Sequence, residues 1–346
     1  MVKTKPKFLD IFDQTTFKAT RHLNKINNVY FDLFVNFEKA CVDYFKDVLD
    51  SIRNDSQTIH QNGNIHPITT ETLTFISNVL PFDVIAGFIS SVVVSKNSNQ
   101  LMPSELEINL RREASEKNMA NFKRIAYQVE SIPEKKVYRE QLADYFYRLF
   151  LYLNYNLKKK ADCYQDQNLK YIFLLNNIHK IKKILSNTPN IKKENTDQCD
   201  SLIELFVLGN KLDLKNHYET EILNYKREYS KCWSKLMSYI RDLIDRNPFH
   251  GEKLKDKDRQ ILKDRFSGFN KEFEEIYEAQ KRYYIPGEQH DLAEEIRQDN
   301  VLYVGLQYQK FFEMYSRYNF ATNRDKYVKY TPDALNAMLR EFFTAF

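Results

Sequence analysis

Glycine and proline are scarce: 7 and 9 of 346 residues. Glycine at about 2 %, against about 7 % in an average protein, leaves few positions for tight turns. That argues against a sandwich, a barrel or a doubly wound sheet. The seven glycines are also far apart, the nearest pair being Gly251 and Gly268. This removes the dinucleotide fingerprint, the P-loop and the Gly-x-Ser-x-Gly elbow together. The four cysteines, Cys41, Cys163, Cys199 and Cys232, form no Cys-x-x-Cys pair, so a zinc site and a disulfide framework are not expected. There is no His-Glu-x-x-His; His60 and His66, the closest histidines, flank a loop and read as ordinary turn residues. The longest apolar stretch, residues 84–94, is interrupted by Gly87, Ser90 and Ser91. It falls far short of the roughly 20 residues that cross a bilayer. Residues 1–7 are polar and basic with no apolar run behind them, so no secretory leader is read at this end. Charge of one sign is also missing: the net charge is +5. Residues 151–250 carry most of the excess, with 17 basic against 12 acidic side chains. This is far from the concentrated basic footprint of a dedicated nucleic-acid binder.

What is present is apolar and aromatic. Hydrophobic residues make up 42 % and aromatics 14 %, nearly all Phe and Tyr. Over residues 21–53, Leu23, Ile26, Tyr30, Leu33, Phe37, Cys41, Tyr44, Val48 and Ile52 step by three and four, which predicts one long amphipathic helix. A polar stretch follows and is broken at Gly63. A helix is expected from Thr69 or Thr70 to Val79, with Pro81 ending it. Residues 83–94 read as a short buried helix, and 107–130 as periodic but charged. A helix that begins near Pro133 carries Leu142, Tyr145, Phe146, Leu149, Phe150 and Leu153. The run Lys158-Lys159-Lys160 reads as solvated. Residues 168–186 are helical, and 187–201 are the best exposed loop or linker. The stripe Tyr218, Ile222, Tyr225, Tyr229, Trp233, Leu236, Ile240 and Leu243 predicts one helix over 216–246. Further helices are expected at 255–284, 290–318 and 332–344. No strand pattern and no fixed repeat period appear.

Two clusters invite a chemical reading. Glu272, Glu274, Glu275 and Glu278 lie on one predicted helix, but no Glu-x-x-His partners exist, so a solvated acidic face is favoured over a di-metal site. Nothing in the sequence supports an enzyme, and no cofactor is expected. Near the C-terminus the chain reads Arg324-Asp325-Lys326-Tyr327-Val328-Lys329-Tyr330-Thr331-Pro332-Asp333. Thr331 is a good N-cap and Pro332 suits the first helical position. Lys326 and Lys329 would stand just before a helix N-terminus with free amides, an arrangement suited to phosphate. Asp325 and Asp333 partly offset that field. The residues alone leave ordinary surface lysines open as the alternative.

Four ordered blocks carry a resemblance. They are Asn62-Gly63-Asn64-Ile65-His66-Pro67-Ile68-Thr69, of the form Gly-x-x-His-x-x-Thr; Tyr171-Ile172-Phe173-Leu174-Leu175-Asn176-Asn177; residues 254–270, from Leu254-Lys255-Asp256 through Arg265-Phe266 to Phe269-Asn270; and Lys326-Tyr327-Val328-Lys329-Tyr330. With these the chain resembles the family of exocyst component seven, the seventy-kilodalton exocyst subunit. It departs at Tyr284-Ile285-Pro286, where many members have Trp. The family protein is about twice as long, so the resemblance is to its C-terminal part. It implies an all-α fold, an elongated rod of stacked antiparallel helical bundles, with approximate divisions at 1–160, 161–250 and 251–346. It implies tethering of secretory vesicles to the plasma membrane, with a cytoplasmic chain held peripherally on the inner face of that membrane at sites of secretion. It implies phosphatidylinositol 4,5-bisphosphate as ligand, bound through Lys326 and Lys329, with Lys263 and Arg265 as weaker candidates; Arg265 has a bundle carboxylate as its alternative partner. Other exocyst subunits and a Rho-family GTPase are the implied partners, and nucleic acid is not. A helical scaffold that binds only proteins is the alternative. A helical RNA binder and an all-α enzyme rank lower.

Overall fold

The computed structural model describes residues 28–81, 133–186, 202, 205–206, 211, 213–246, 248–249 and 254–343. The chain is all-α: every regular element among the described residues is helical. The helices are α1 (Asn28–Arg53), α2 (Pro67–Val79), α3 (Pro133–Ala161), α4 (Gln167–Ser186), α5 (Asp213–Ser230), α6 (Ser234–Ser238), α7 (Arg241–Arg246), α8 (Asp256–Gln280), α9 (His290–Asn300), α10 (Leu306–Tyr315) and α11 (Pro332–Arg340). The expected helix at 83–94, the charged stretch 107–130, the loop 187–201, Cys199 and the start of the first predicted helix lie outside the described residues. No described helix is long and apolar enough to cross a membrane.

Two compact units are present. The first comprises Met1–Thr58, His66–Lys160 and Lys180–Glu221. Its core is the apolar face of α3: Leu142, Tyr145, Phe146, Leu149, Phe150 and Leu153 are fully buried, as their spacing predicts. The Tyr145 hydroxyl donates to the Phe45 carbonyl of α1 at 2.9 Å, and its ring meets Phe45 edge-on at 5.4 Å. The α1 stripe holds only in part. Val48 and Ile52 of the stripe are buried, with Phe45 and Leu49 beside them, whereas Leu33 and Tyr44 are exposed. The α2 cap also differs from expectation. Pro67 occupies the first helical position, and His66 Nδ1, not a threonine, accepts the Ile68 amide at 3.2 Å. Lys160, read as solvated, is buried: its ammonium pairs with Asp55 at 2.9 Å and donates to the Gln57 carbonyl at 2.6 Å. A buried ammonium needs such partners, since an unpaired one is costly.

The second unit comprises Ile59–Ile65, Ala161–His179 and Ile222–Phe346. Three of its segments meet at Asn176 of α4. Its Nδ2 donates to the Gly63 carbonyl at 2.7 Å and to the Tyr284 carbonyl at 2.8 Å, and its main-chain carbonyl accepts from the Gln289 side-chain amide at 2.8 Å. Gly63 has φ +78°, and a Cβ there would lie 2.9 Å from Leu169, so both conformation and space favour glycine. The stripe from Tyr218 to Leu243 is largely inward-facing, but the helix is interrupted. A 3-10 turn at Lys231–Trp233 separates α5 from α6, and α7 follows after Tyr239 and Ile240. Trp233 sits at that break, fully buried, donating to Asn300 at 2.8 Å. The predicted 290–318 helix likewise contains a π-helical insertion at Val301–Gly305 between α9 and α10. There Gly305 makes room for the Asn336 side chain of α11, which would collide with a Cβ at that position.

Candidate functional site

Helix α8 is the platform of the C-terminal site. Asp256 and Asp258 favour its first turn, and the Asp258 carboxylate accepts the Lys255 amide at 3.2 Å. Its inward face presents Leu262, Phe266, Phe269 and Phe273, all fully buried. Phe266 packs on Phe311 and Phe320 with centroids 4.5 and 5.4 Å away, and Phe269 stacks on Tyr308 at 4.6 Å. This aromatic bed receives the Lys-Tyr-x-Lys-Tyr segment between α10 and α11. Tyr327 meets Phe320 edge-on at 6.1 Å and Tyr330 meets Phe273 at 5.4 Å. The backbone is pinned in the same places. Asn270 donates to the Tyr327 carbonyl at 2.7 Å, and the Tyr308 hydroxyl donates to the Tyr330 carbonyl at 2.7 Å. With Tyr327 and Tyr330 turned inward, Lys326 and Lys329 are left exposed.

The two lysines differ in their surroundings. The Lys329 ammonium pairs with the Glu274 carboxylate of α8 at 2.6 Å, and the Tyr330 hydroxyl donates to the same oxygen at 3.1 Å. The hydrogen bond from Lys329 outweighs partial desolvation and holds the Glu274 carboxyl below the usual carboxylate range. That bond also raises Lys329 above an ordinary lysine. Lys326 lies with its ammonium 6.0 Å from the Tyr327 ring centre. At the start of α11 the Thr331 hydroxyl accepts the Ala334 amide at 3.2 Å, and Pro332 has no N–H. The cap and the N1 proline read from the sequence are both in place, and they leave this helix end few open amides. Its dipole remains, partly offset by Asp333.

The weaker candidates fall in different places. Lys263 is half-buried on α8, eleven residues before Glu274, which puts it on the same helical face about 16 Å away along the axis. Arg265 points elsewhere: it donates to the Ser238 carbonyl at 2.8 Å and lies 4.0 Å from Asp242, so it ties α8 to α6 and α7. The acidic cluster is engaged too. Glu272 pairs with Lys235 at 2.5 Å and Glu278 with Lys281 at 2.6 Å. No group of His, Cys, Asp and Glu able to hold a metal occurs among the described residues. Sequence reasoning missed Glu274 as a partner of Lys329, and missed Asn270 and Tyr308 as the groups that pin the segment. Their partners lie 22 to 57 residues away along the chain, beyond the reach of local patterning.

The sequence profile for the C-terminal region of the exocyst complex protein Exo70 matches residues 1–341. The chain belongs to the Exo70 family. Among Exo70 relatives, exocyst complex component 7 of Drosophila melanogaster is 32 % identical over 303 residues, covering 85 % of this chain and 38 % of the relative. Exocyst complex component 7 of Homo sapiens is 28 % identical over 350 residues, covering 99 % and 40 %. The chain thus spans about two fifths of the length of these relatives. In fold it is similar to a solved S. cerevisiae Exo70 structure, with TM-score 0.58 and 17 % identity over 98 % of this chain and 59 % of that one. A second solved structure, of Exo70p, gives TM-score 0.54 at 16 % identity over 94 % and 57 %.

Proposed function

We propose that this chain acts in the exocyst as a membrane-tethering helical subunit, with residues 251–346 contacting the inner face of the plasma membrane. Lys326 and Lys329 engage phosphatidylinositol 4,5-bisphosphate there, Lys263 adds long-range positive potential, and Arg265 stays structural. Other exocyst subunits and a Rho-family GTPase are the protein partners in this reading; family membership alone supports them. The observation that carries the membrane contact is the segment itself. Two tyrosines are packed into an aromatic bed, so two lysines three residues apart are held outward before the dipole of α11. The chemistry is electrostatic and reversible, since each basic residue near an anionic leaflet contributes about 1 kcal/mol.

A second reading, a scaffold that binds only proteins, has one observation in its favour: Lys329 already has a carboxylate partner at 2.6 Å. Liposome flotation separates the two. With phosphatidylinositol 4,5-bisphosphate in the vesicles at physiological salt, the chain is expected to float, and the Lys326→Ala/Lys329→Ala variant is expected to stay in the soluble fraction. A folded wild-type chain that does not float gives the scaffold reading the lead.

A further inference from the structure

We propose that Glu274 is the resting occupant of Lys329, and that a polyphosphorylated lipid headgroup binds this site by displacing that carboxylate. The proposal rests on the reading of Lys326 and Lys329 as the membrane contact, and adds an internal competitor to it. Three observations carry it. The Lys329–Glu274 separation is 2.6 Å, the contact of a formed ion pair. Both side chains are about half exposed, at 51 % and 44 %, so an incoming anion can reach the ammonium without opening the core. The Tyr330 hydroxyl donates to the same Glu274 oxygen, so the carboxylate keeps a partner when the ammonium leaves.

The exchange is an ion-pair swap with no bond made or broken. The Lys329 ammonium passes from a carboxylate oxygen to a phosphate oxygen, and Glu274 turns to Tyr330 and water. An exposed ion pair is weak enough to be given up. A headgroup bearing several phosphate charges can also draw on Lys326 and the α11 dipole at once. A single carboxylate or phosphodiester, offering one charge, gains much less from the exchange. Glu274 thus lowers the occupancy of the site on membranes with little polyphosphorylated lipid.

Vesicle binding of Glu274→Gln tests this, because glutamine retains an oxygen for the Tyr330 hydroxyl while losing the charge that holds Lys329. On vesicles with phosphatidylinositol 4,5-bisphosphate the partition coefficient should rise up to about fivefold, the equivalent of releasing an exposed ion pair worth at most about 1 kcal/mol. Glu275→Gln changes net charge equally one residue away, where the native side chain faces Lys271 at 3.9 Å, and should give no comparable rise. In a Lys329→Ala background the gain from Glu274→Gln should vanish. Equal gains from the two glutamine variants, or a gain that survives Lys329→Ala, would reduce the effect to bulk charge and overturn the proposal. A wild-type chain that binds through the two lysines, with Glu274→Gln unchanged, overturns this inference and leaves the membrane reading standing. If neither the wild type nor Glu274→Gln binds, both fall. Soluble inositol trisphosphate, titrated in parallel, locates the recognised anion. A gain on both probes assigns it to the headgroup, and a gain on vesicles alone assigns it to the headgroup in its bilayer; either supports the exchange.

Discussion

Replacing Asn176 should unfold the second unit more readily than its small size suggests. The side chain is fully buried, and its two amide protons go to the carbonyls of Gly63 and Tyr284 at 2.7 and 2.8 Å. Asn176→Ala removes both donors at once. A buried acceptor left without a partner costs about 1–3 kcal/mol. The Gly63 carbonyl is enclosed and should bear that cost in full, while Tyr284 is half-buried and recovers part of its own from water. A total near 3 kcal/mol follows, before any cavity contribution. Asn176→Asp should be worse, since it sets a carboxylate against two carbonyl oxygens in the interior. The single tryptophan, Trp233, lies buried in the same unit and reports its unfolding by fluorescence. With a urea dependence of about 3 kcal/mol per molar, Asn176→Ala should lower the midpoint by about 1 M. A shift below about 0.3 M, under 1 kcal/mol on that slope, would refute the reasoning that this amide clamps the two loops.

Two further outcomes follow from polar groups in the two units. Lys160→Met strands the buried Asp55 carboxylate and should cost about 3–5 kcal/mol, read as a fall in the circular-dichroism melting temperature; adding Asp55→Leu should restore most of the loss, and no rescue would sink the account. The Tyr277 phenol is pushed up to about 12, first by its hydrogen bond to Glu341 and then by burial, from an ordinary value of 10.0. Because the folded value is the raised one, this contact's contribution is complete below pH 10 and is lost as pH rises through 12. In an alkaline absorbance titration at about 295 nm, Tyr277→Phe should therefore remove a phenol that ionises near 12, and loss of one that ionises near 10 would contradict the assignment.

Periodicity and turn chemistry were legible because they depend on local order. The α3 stripe is buried residue for residue, and Pro81 and Pro332 mark helix boundaries as their missing N–H demands. What failed depended on distant partners. A run of three lysines looks solvated until Asp55 and Gln57 are placed against Lys160. A stripe continuous from Tyr218 to Leu243 does not reveal that the backbone breaks at Trp233, since a 3-10 turn keeps the inward side chains inward. The π-helical insertion at Val301–Gly305 is invisible for a similar reason: it adjusts a face without interrupting the apolar pattern, and its glycine answers to Asn336. At the candidate site, the lysines and the α11 cap were readable from one decapeptide, whereas Glu274 lies 55 residues from Lys329 and reads as one of four surface acids.

The proposed membrane contact also limits how this chain can tether anything. Two lysines at about 1 kcal/mol each give roughly a 30-fold preference for an anionic surface, and the Glu274 pair takes back part of it. Such binding is fast to reverse and sensitive to salt. It becomes firm only if a second contact holds the chain near the membrane, since linked sites act at an effective concentration instead of a bulk one. In the proposed assembly that contact comes from neighbouring exocyst subunits or the GTPase. A weak lipid site is then an asset: it adds decisively to an assembled tether and contributes little to a stray copy of the chain. An internal competitor at Lys329 sharpens this division, because it lowers solitary binding while leaving the lysine ready for exchange once the chain is held against the membrane.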